Sequence, residues 1–219
     1  MKRYIIFLTI ALCAAFTAKA QEVNWRSFSA PYKHIVSVNF GADYGTHYGL
    51  AYGYKLSGRL PVVLGTEISI PFGHDVLDDW KVRISGQSEL WHNEQFSLSV
   101  QPGIIARRYQ SEVARLYNIS ADLTTTFGYY RPAWGVAAEV NFDKTLATHI
   151  RHDGLKDYYP EIRDGWYGST GGNFKLGLKG NYAWDDWSIF LKAGKIFAQD
   201  FKDNPTLPFF FEISLLKYL

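Results

Sequence analysis

Ten stretches of this chain alternate, residue by residue, between an apolar and a polar face. In IVSVNFGADYG, Val36, Val38, Phe40, Ala42 and Tyr44 fall on one parity and Ser37, Asn39, Gly41 and Asp43 on the other. HYGLAYGYKL, PVVLGTEISI, WKVRISGQSEL and FSLSVQPGIIARR follow the same rule, and SADLTTTFGYY, AWGVAAEVNF, NFKLGLKGNYAW, WSIFLKAG and FFFEISLLKYL continue it. Side chains alternate across a strand, so a period of two is the strand signal, and helical spacing appears nowhere over a comparable length. The chain is therefore all-β. An apolar strand face looks into a core in a soluble sandwich and out at lipid in a transmembrane barrel.

The N-terminus constrains where the protein works. MKR is followed by the uncharged run YIIFLTIALCAAFTA and by Ala18-Lys19-Ala20 ahead of Gln21. This is the layout of a cleaved signal peptide, residues 1–20, with residues 21–33 expected as a periplasmic N-terminal segment and residues 34–219 as the folded domain. The leader takes with it three of the 23 basic residues and none of the 21 acidic ones, leaving a formal net charge of −1. Nothing in that balance argues for a nucleic-acid partner or a polybasic membrane contact, and neither is expected. Cys13, the only cysteine, also lies in the leader, so no disulfide, zinc thiolate or thiol chemistry is expected in the rest.

The connections are sorted by length. Ser57-Gly58-Arg59, His92 to Gln95, Arg131-Pro132 and Asp185-Asp186 are short, whereas Pro71 to Asp79, Tyr109 to Val113, Asp143 to Gly172 and Ala198 to Pro208 are longer; only the first, around Gly45-Thr46, breaks the alternation. Short turns on one rim and long loops on the other, with an even strand count, describe an antiparallel up-and-down transmembrane β-barrel of about ten strands, eight being the alternative count. One irregularity is expected: Pro102-Gly103 interrupts the fifth strand and predicts a bulge that shifts the register of Ile104 to Arg107.

The two faces favour the barrel. No charge lies mid-strand on the apolar parity, and Lys195 and Lys217 fall at strand ends. Tyr44, Tyr48, Trp80, Phe142 and Phe174 map to the loop rim and Tyr54, Phe96, Trp134, Trp184 and Trp187 to the turn rim, as two aromatic girdles would. The polar parity carries Lys55, Lys81, Arg83, Arg107, Lys175, Lys179 and Lys192 with Asp43, Glu67, Glu89, Asp122, Glu139, Asp143 and Glu212, interleaved with glycines. Long charged side chains beside small ones suit a narrow lumen, and seven bases with seven acids suit mutual pairing there.

On these features, over residues 34 to 219, the chain resembles the small, porin-like bacterial outer-membrane β-barrel proteins. The resemblance implies residence in the outer membrane of a Gram-negative cell, contact with its lipid and lipopolysaccharide, and insertion by the barrel-assembly machinery. In that family the last strand alternates and ends on an aromatic. Phe209, Phe211, Ile213 and Leu215 fit, while Leu219 is terminal, Tyr218 comes one place early and Lys217 stands on the apolar parity.

Catalysis finds little footing. The omptin proteases, also barrels of this size, activate water with loop acid pairs and a His–Asp pair, and this chain offers Asp78-Asp79 and His152-Asp153. Adjacent residues at a strand end point opposite ways, so the match is only nominal. His149-x-x-His152 lacks a third metal ligand, and no nucleophile elbow, P-loop or dinucleotide motif occurs. No enzyme activity, cofactor or metal is therefore expected. The extracellular loop 143–172, with Tyr158, Tyr159, Trp166 and Tyr167, is expected to fold as a lid over the mouth or to hold a surface ligand. The sequence reads as a barrel with a filled, charge-balanced lumen in a structural or surface-interaction role, with a narrow channel or small-molecule transporter as the alternative.

Overall fold

The computed structural model describes residues 23–28, 32–43, 45–58, 60–72, 78–169, 171–201 and 207–219. The expected signal peptide and Tyr44 lie outside the described residues. The strands are β1 (His34–Ala42), β2 (Thr46–Leu56), β3 (Val62–Pro71), β4 (Trp80–His92), β5 (Phe96–Gln110), β6 (Arg115–Tyr130), β7 (Trp134–Arg151), β8 (Gly165–Tyr167), β9 (Gly172–Trp184), β10 (Trp187–Ala198) and β11 (Phe209–Tyr218). All but β8 form the wall, a closed ring of ten antiparallel strands in sequence order. β7 pairs directly with β9, and β11 returns to β1 with Ile35 opposite Tyr218 and Ala42 opposite Phe211. Closure leaves no edge, so the backbone can cross a bilayer with its hydrogen bonds satisfied. Among the described residues no helix is long and apolar enough to cross a membrane.

The parities sort as the alternation requires. Ile84, Ile104 and Leu178 point outward and are 64%, 61% and 72% exposed, amid an apolar band that also holds Phe40, Leu50, Ile68, Leu123 and Phe127. A continuous apolar belt on a closed surface calls for lipid. The outward lysines sit at its margins: Lys217 pairs with Asp186 at 3.2 Å and lies over the Trp187 ring, and Lys195 lies over Phe197. Trp134, Trp184, Trp187, Phe96 and Tyr54 ring the turn end. At the loop end, Tyr48 packs on Phe72, Phe142 stacks on Phe174 at 4.4 Å, and Trp80 stands opposite Arg108.

Three expectations are corrected. The bulge expected at Pro102-Gly103 is absent: pairing of β5 with β6 runs through Pro102 unshifted, and Ile105 and Arg107 keep the inward parity. Pro102 has no N–H to give, so the ladder to β4 has a gap opposite Gly86 and Gln87 while its register holds. The shifts fall instead between Glu89 and Trp91 in β4 and, in the β6–β7 ladder, beside Ile119 and Ser120. Second, the loop 143–172 is shorter, because β7 carries the chain as strand to Arg151. β5, β6 and β7 have 15, 16 and 18 residues against 9 in β1, so one wall projects past the loop rim, where neither face has to be apolar.

Third, the rest of that loop is not a lid. β8 pairs with Thr148 to Ile150 on the projecting wall, Leu155 N–H donates to Val113 C=O, and Asp153 meets Arg115 at 2.6 Å. Tyr158, Tyr159, Trp166 and Tyr167 remain 79%, 61%, 62% and 41% exposed rather than buried over the mouth.

Candidate functional site

The lumen holds two zones stacked along the barrel axis. Toward the loop end, six bases meet six acids: Lys81–Glu67, Arg83–Asp122, Arg107–Asp143, Lys175–Asp43, Lys179–Glu139 and Lys192–Glu212. Register explains why they pair as they do. Lys192 stands directly opposite Glu212, but Asp122 stands opposite Asp143, Lys81 opposite Arg107 and Lys179 opposite Lys192, and these nearest-neighbour contacts would be repulsive. The guanidiniums reach over the intervening strand instead. Arg83 of β4 donates to both carboxylate oxygens of Asp122 on β6, at 3.3 and 2.5 Å. Arg107 of β5 does the same to Asp143 on β7, and its Nη1 also donates to Ser120 Oγ of β6 at 2.8 Å. Asn141 adds bonds to Asp122 and Thr124.

Small residues make room for this. A Cβ on Gly103 would stand 2.3 Å from Asp122 Oδ1, and one on Gly194 would collide with the Leu176 carbonyl and the Phe210 ring. The glycines thus leave space into which the long charged side chains of neighbouring strands extend. Between them remains a polar cavity of about 70 Å³, lined by Asp43, His47, Glu67, Arg83, Asp143 and Lys175 among others. That is room for a few waters. His47 Nε2 and Asp43 Oδ1 have no hydrogen-bond partner, and His47 lies 3.8 Å from Glu212.

Two members of the expected network stand apart from it. Lys55 donates to Phe28 C=O at 3.2 Å and lies over the Phe28 ring. Glu89 accepts from Ser97 Oγ at 2.6 Å and sits 3.0 Å from His92. Both belong to the turn-end zone, where the inward parity turns apolar: Ile35, Val63, Phe190, Leu216 and Tyr218 form a buried collar.

The N-terminal segment fills that collar. Val23, Asn24 and Phe28 are buried, Phe28 stacks on Tyr218 with ring centroids 5.2 Å apart, and Trp25 and Tyr32 pack against the cluster. Val23 N–H donates to Gln87 Oε1 at 2.9 Å, Asn24 Nδ2 to Arg131 C=O at 3.2 Å, and Arg26 to Asn93 C=O at 2.6 Å. A short turn, with Ser27 and Phe28 N–H both on Asn24 C=O, holds the segment compact. The sequence places 21–33 as a periplasmic N-terminal segment and gives it no seat in the barrel. The missed signal is the cluster of apolar residues that Ile35, Val63, Phe190 and Leu216 make on the polar parity at the turn end, and Tyr218 is early because it faces this core.

The protease constellation is not assembled. Asp153 pairs with Arg115 and Arg151, Asp78 with Arg108, and Asp79 accepts from Gln110 N–H. His152 lies 3.4 Å from Asp164, which also receives the His152 N–H and Lys156. Those bonds hold the exposed Asp164 carboxyl down at a pKa of about 2, and Arg115 likewise lowers that of Asp153. The pattern is a loop brace. His149 is turned edge-on to Trp166. Among the described residues no group of His, Cys, Asp and Glu could hold a metal ion.

No protein-family model matches the chain, and no curated protein matches it. Among solved structures it is similar to a KdgM porin, at 9% identity and a TM-score of 0.46 over 84% of this chain and 99% of that one. It is also similar to a KdgM porin in complex with disordered oligogalacturonate, at 10% identity and a TM-score of 0.44 over the same shares. The architecture itself, a closed antiparallel barrel of ten strands with an apolar outside and a charged inside, is that of a small outer-membrane β-barrel.

Proposed function

We propose that the protein resides in the outer membrane, after loss of residues 1–20, as a closed barrel that does not conduct and that presents its projecting wall and loop 152–171 to the exterior. Its role is structural or one of surface interaction rather than enzymatic. The observation that carries this reading is the base–acid pairing in the lumen, in which the two arginine pairs cross an intervening strand: opening a path would strip each charge of its partner in a confined space. Lipid contacts the apolar belt, the aromatic rims lie at its two interfaces, and the exposed Tyr158, Tyr159 and Trp166 offer aromatic faces to lipopolysaccharide or another surface ligand. Planar-bilayer recordings of the purified protein test it: a silent membrane supports the reading and a steady ohmic current refutes it.

A second reading, a narrow channel, draws on the polar cavity and the unpartnered His47 Nε2 and Asp43 Oδ1 that line it. It requires the pairs to rearrange around passing solute. Charge substitutions such as Lys175→Glu would then change ion selectivity.

A further inference from the structure

We infer that Val23–Phe28 is an intramolecular gate: a plug seated in the turn-side mouth that can leave it without unfolding the barrel. The charged zone and this plug are separate barriers, so the inference goes beyond the closed-lumen reading and stands or falls on its own.

The seat is specific. Its collar comes from four strands, with Ile35 on β1, Val63 on β3, Phe190 on β10, and Leu216 and Tyr218 on β11, all inward positions toward the turn end of those strands. Elsewhere along the lumen the inward parity is dominated by polar and charged side chains. Apolar residues facing a lumen are costly unless something dry covers them, and Val23 and Phe28 do so. Polar anchors fix the segment's height and orientation: Gln87 at Val23, Arg131 and Asn181 at Asn24, and Lys55 at Phe28. The seat therefore accepts a short peptide with an apolar residue, an adjacent asparagine and an aromatic four residues beyond the asparagine.

Release breaks no strand. The ladder starts at Lys33, whose N–H donates to Leu219 C=O at 3.0 Å and whose C=O accepts from Lys55 N–H at 2.8 Å. Among the described residues, Val23–Phe28 is held by side-chain packing and a few hydrogen bonds made from a segment outside the sheet. Withdrawal would wet the collar and the plug together, which keeps the gate shut at rest.

The test places a reporter thiol under the plug. Ser188 is fully buried at the turn end of β10, its Oγ 3.2 Å from Tyr218 Oη. The full chain carrying Cys13→Ser and Ser188→Cys is purified in detergent and exposed to a membrane-impermeant methanethiosulfonate, with and without Phe28→Asp. The plug predicts slow labelling with Phe28 in place and, with Phe28→Asp, labelling at least about tenfold faster, as for a seat weakened by more than ~1.4 kcal/mol. The heat-dependent gel shift of the folded barrel should persist in both. Equal labelling rates, fast or slow, would overturn the inference. So would loss of the gel shift in Phe28→Asp, since the segment would then be part of the barrel's fold and not a releasable gate. Val23→Asp provides a second variant to be scored the same way.

Discussion

Arg83 on β4 and Asp122 on β6 meet at 2.5 Å across the intervening β5, above Gly103. The bridge exists because position 103 has no side chain: a Cβ there would sit 2.3 Å from Asp122 Oδ1. Gly103→Val should therefore push the pair apart as surely as deleting one partner. Stranding a buried charge costs about 3–5 kcal/mol, less where water reaches it, whereas removing both partners together is far milder. Denaturant unfolding in lipid vesicles should show Arg83→Ala and Asp122→Ala each strongly destabilised and Arg83→Met/Asp122→Leu close to the parent. Additive losses in the double variant would mean that the two side chains do not act as a pair.

Closure of the ring makes a second prediction. All wall strands are paired on both sides, so detergent finds no edge to enter. An unboiled sample should migrate differently from a boiled one on a denaturing gel, and the far-ultraviolet spectrum should be that of strand. Identical migration with no strand signal would contradict the closed barrel.

The loop brace titrates apart from the barrel. Asp164 is bonded by His152 N–H and Lys156 and has its pKa lowered to about 2 from an ordinary 3.8. A carboxyl lowered on folding contributes order that is fully present above its unfolded pKa and is lost as pH falls through the folded one. Hydrogen exchange at the His152 amide should thus speed up, relative to its intrinsic rate, between about pH 4 and pH 2, while amides in β1 and β11 stay protected. Asp164→Asn should remove that pH dependence. An unchanged protection factor across the window would show that the brace does not order the loop.

Exposed loop aromatics should be energetically idle for the fold. Tyr158→Ala and Trp166→Ala remove side chains 79% and 62% exposed, so unfolding should shift by no more than about 0.5 kcal/mol. Retention on immobilised lipopolysaccharide should fall in the same variants. Unchanged retention would move the surface contact elsewhere on the projecting wall.

The barrel was legible in the sequence because lipid demands a strict outward alternation, and every strand from Val36 to Leu215 carries it. The pairing inside was not, because Arg83 and Arg107 each skip a strand, and which strand they skip depends on register: Asp122 opposite Asp143 looks repulsive until both arginines are in place. Lys55 and Glu89 share the charged parity but sit at the other end of the lumen, and parity carries no information on height. The bulge was expected at Pro102 from its missing N–H; the ladder tolerates that loss without slipping and bulges next to Leu90 instead. Tyr158 and Trp166 were expected to bury, yet the loop braces against a strand extension whose length the mixed polarity of residues 143–151 concealed.

Current through a single inserted barrel measures directly whether the lumen is closed. With the six base–acid pairs formed and Val23–Phe28 seated, the parent protein in a planar bilayer should give no steady conductance at moderate voltage. A stable ohmic current in the parent, with an ion selectivity that Lys175→Glu reverses, would contradict the account and establish the lumen as a water-filled path.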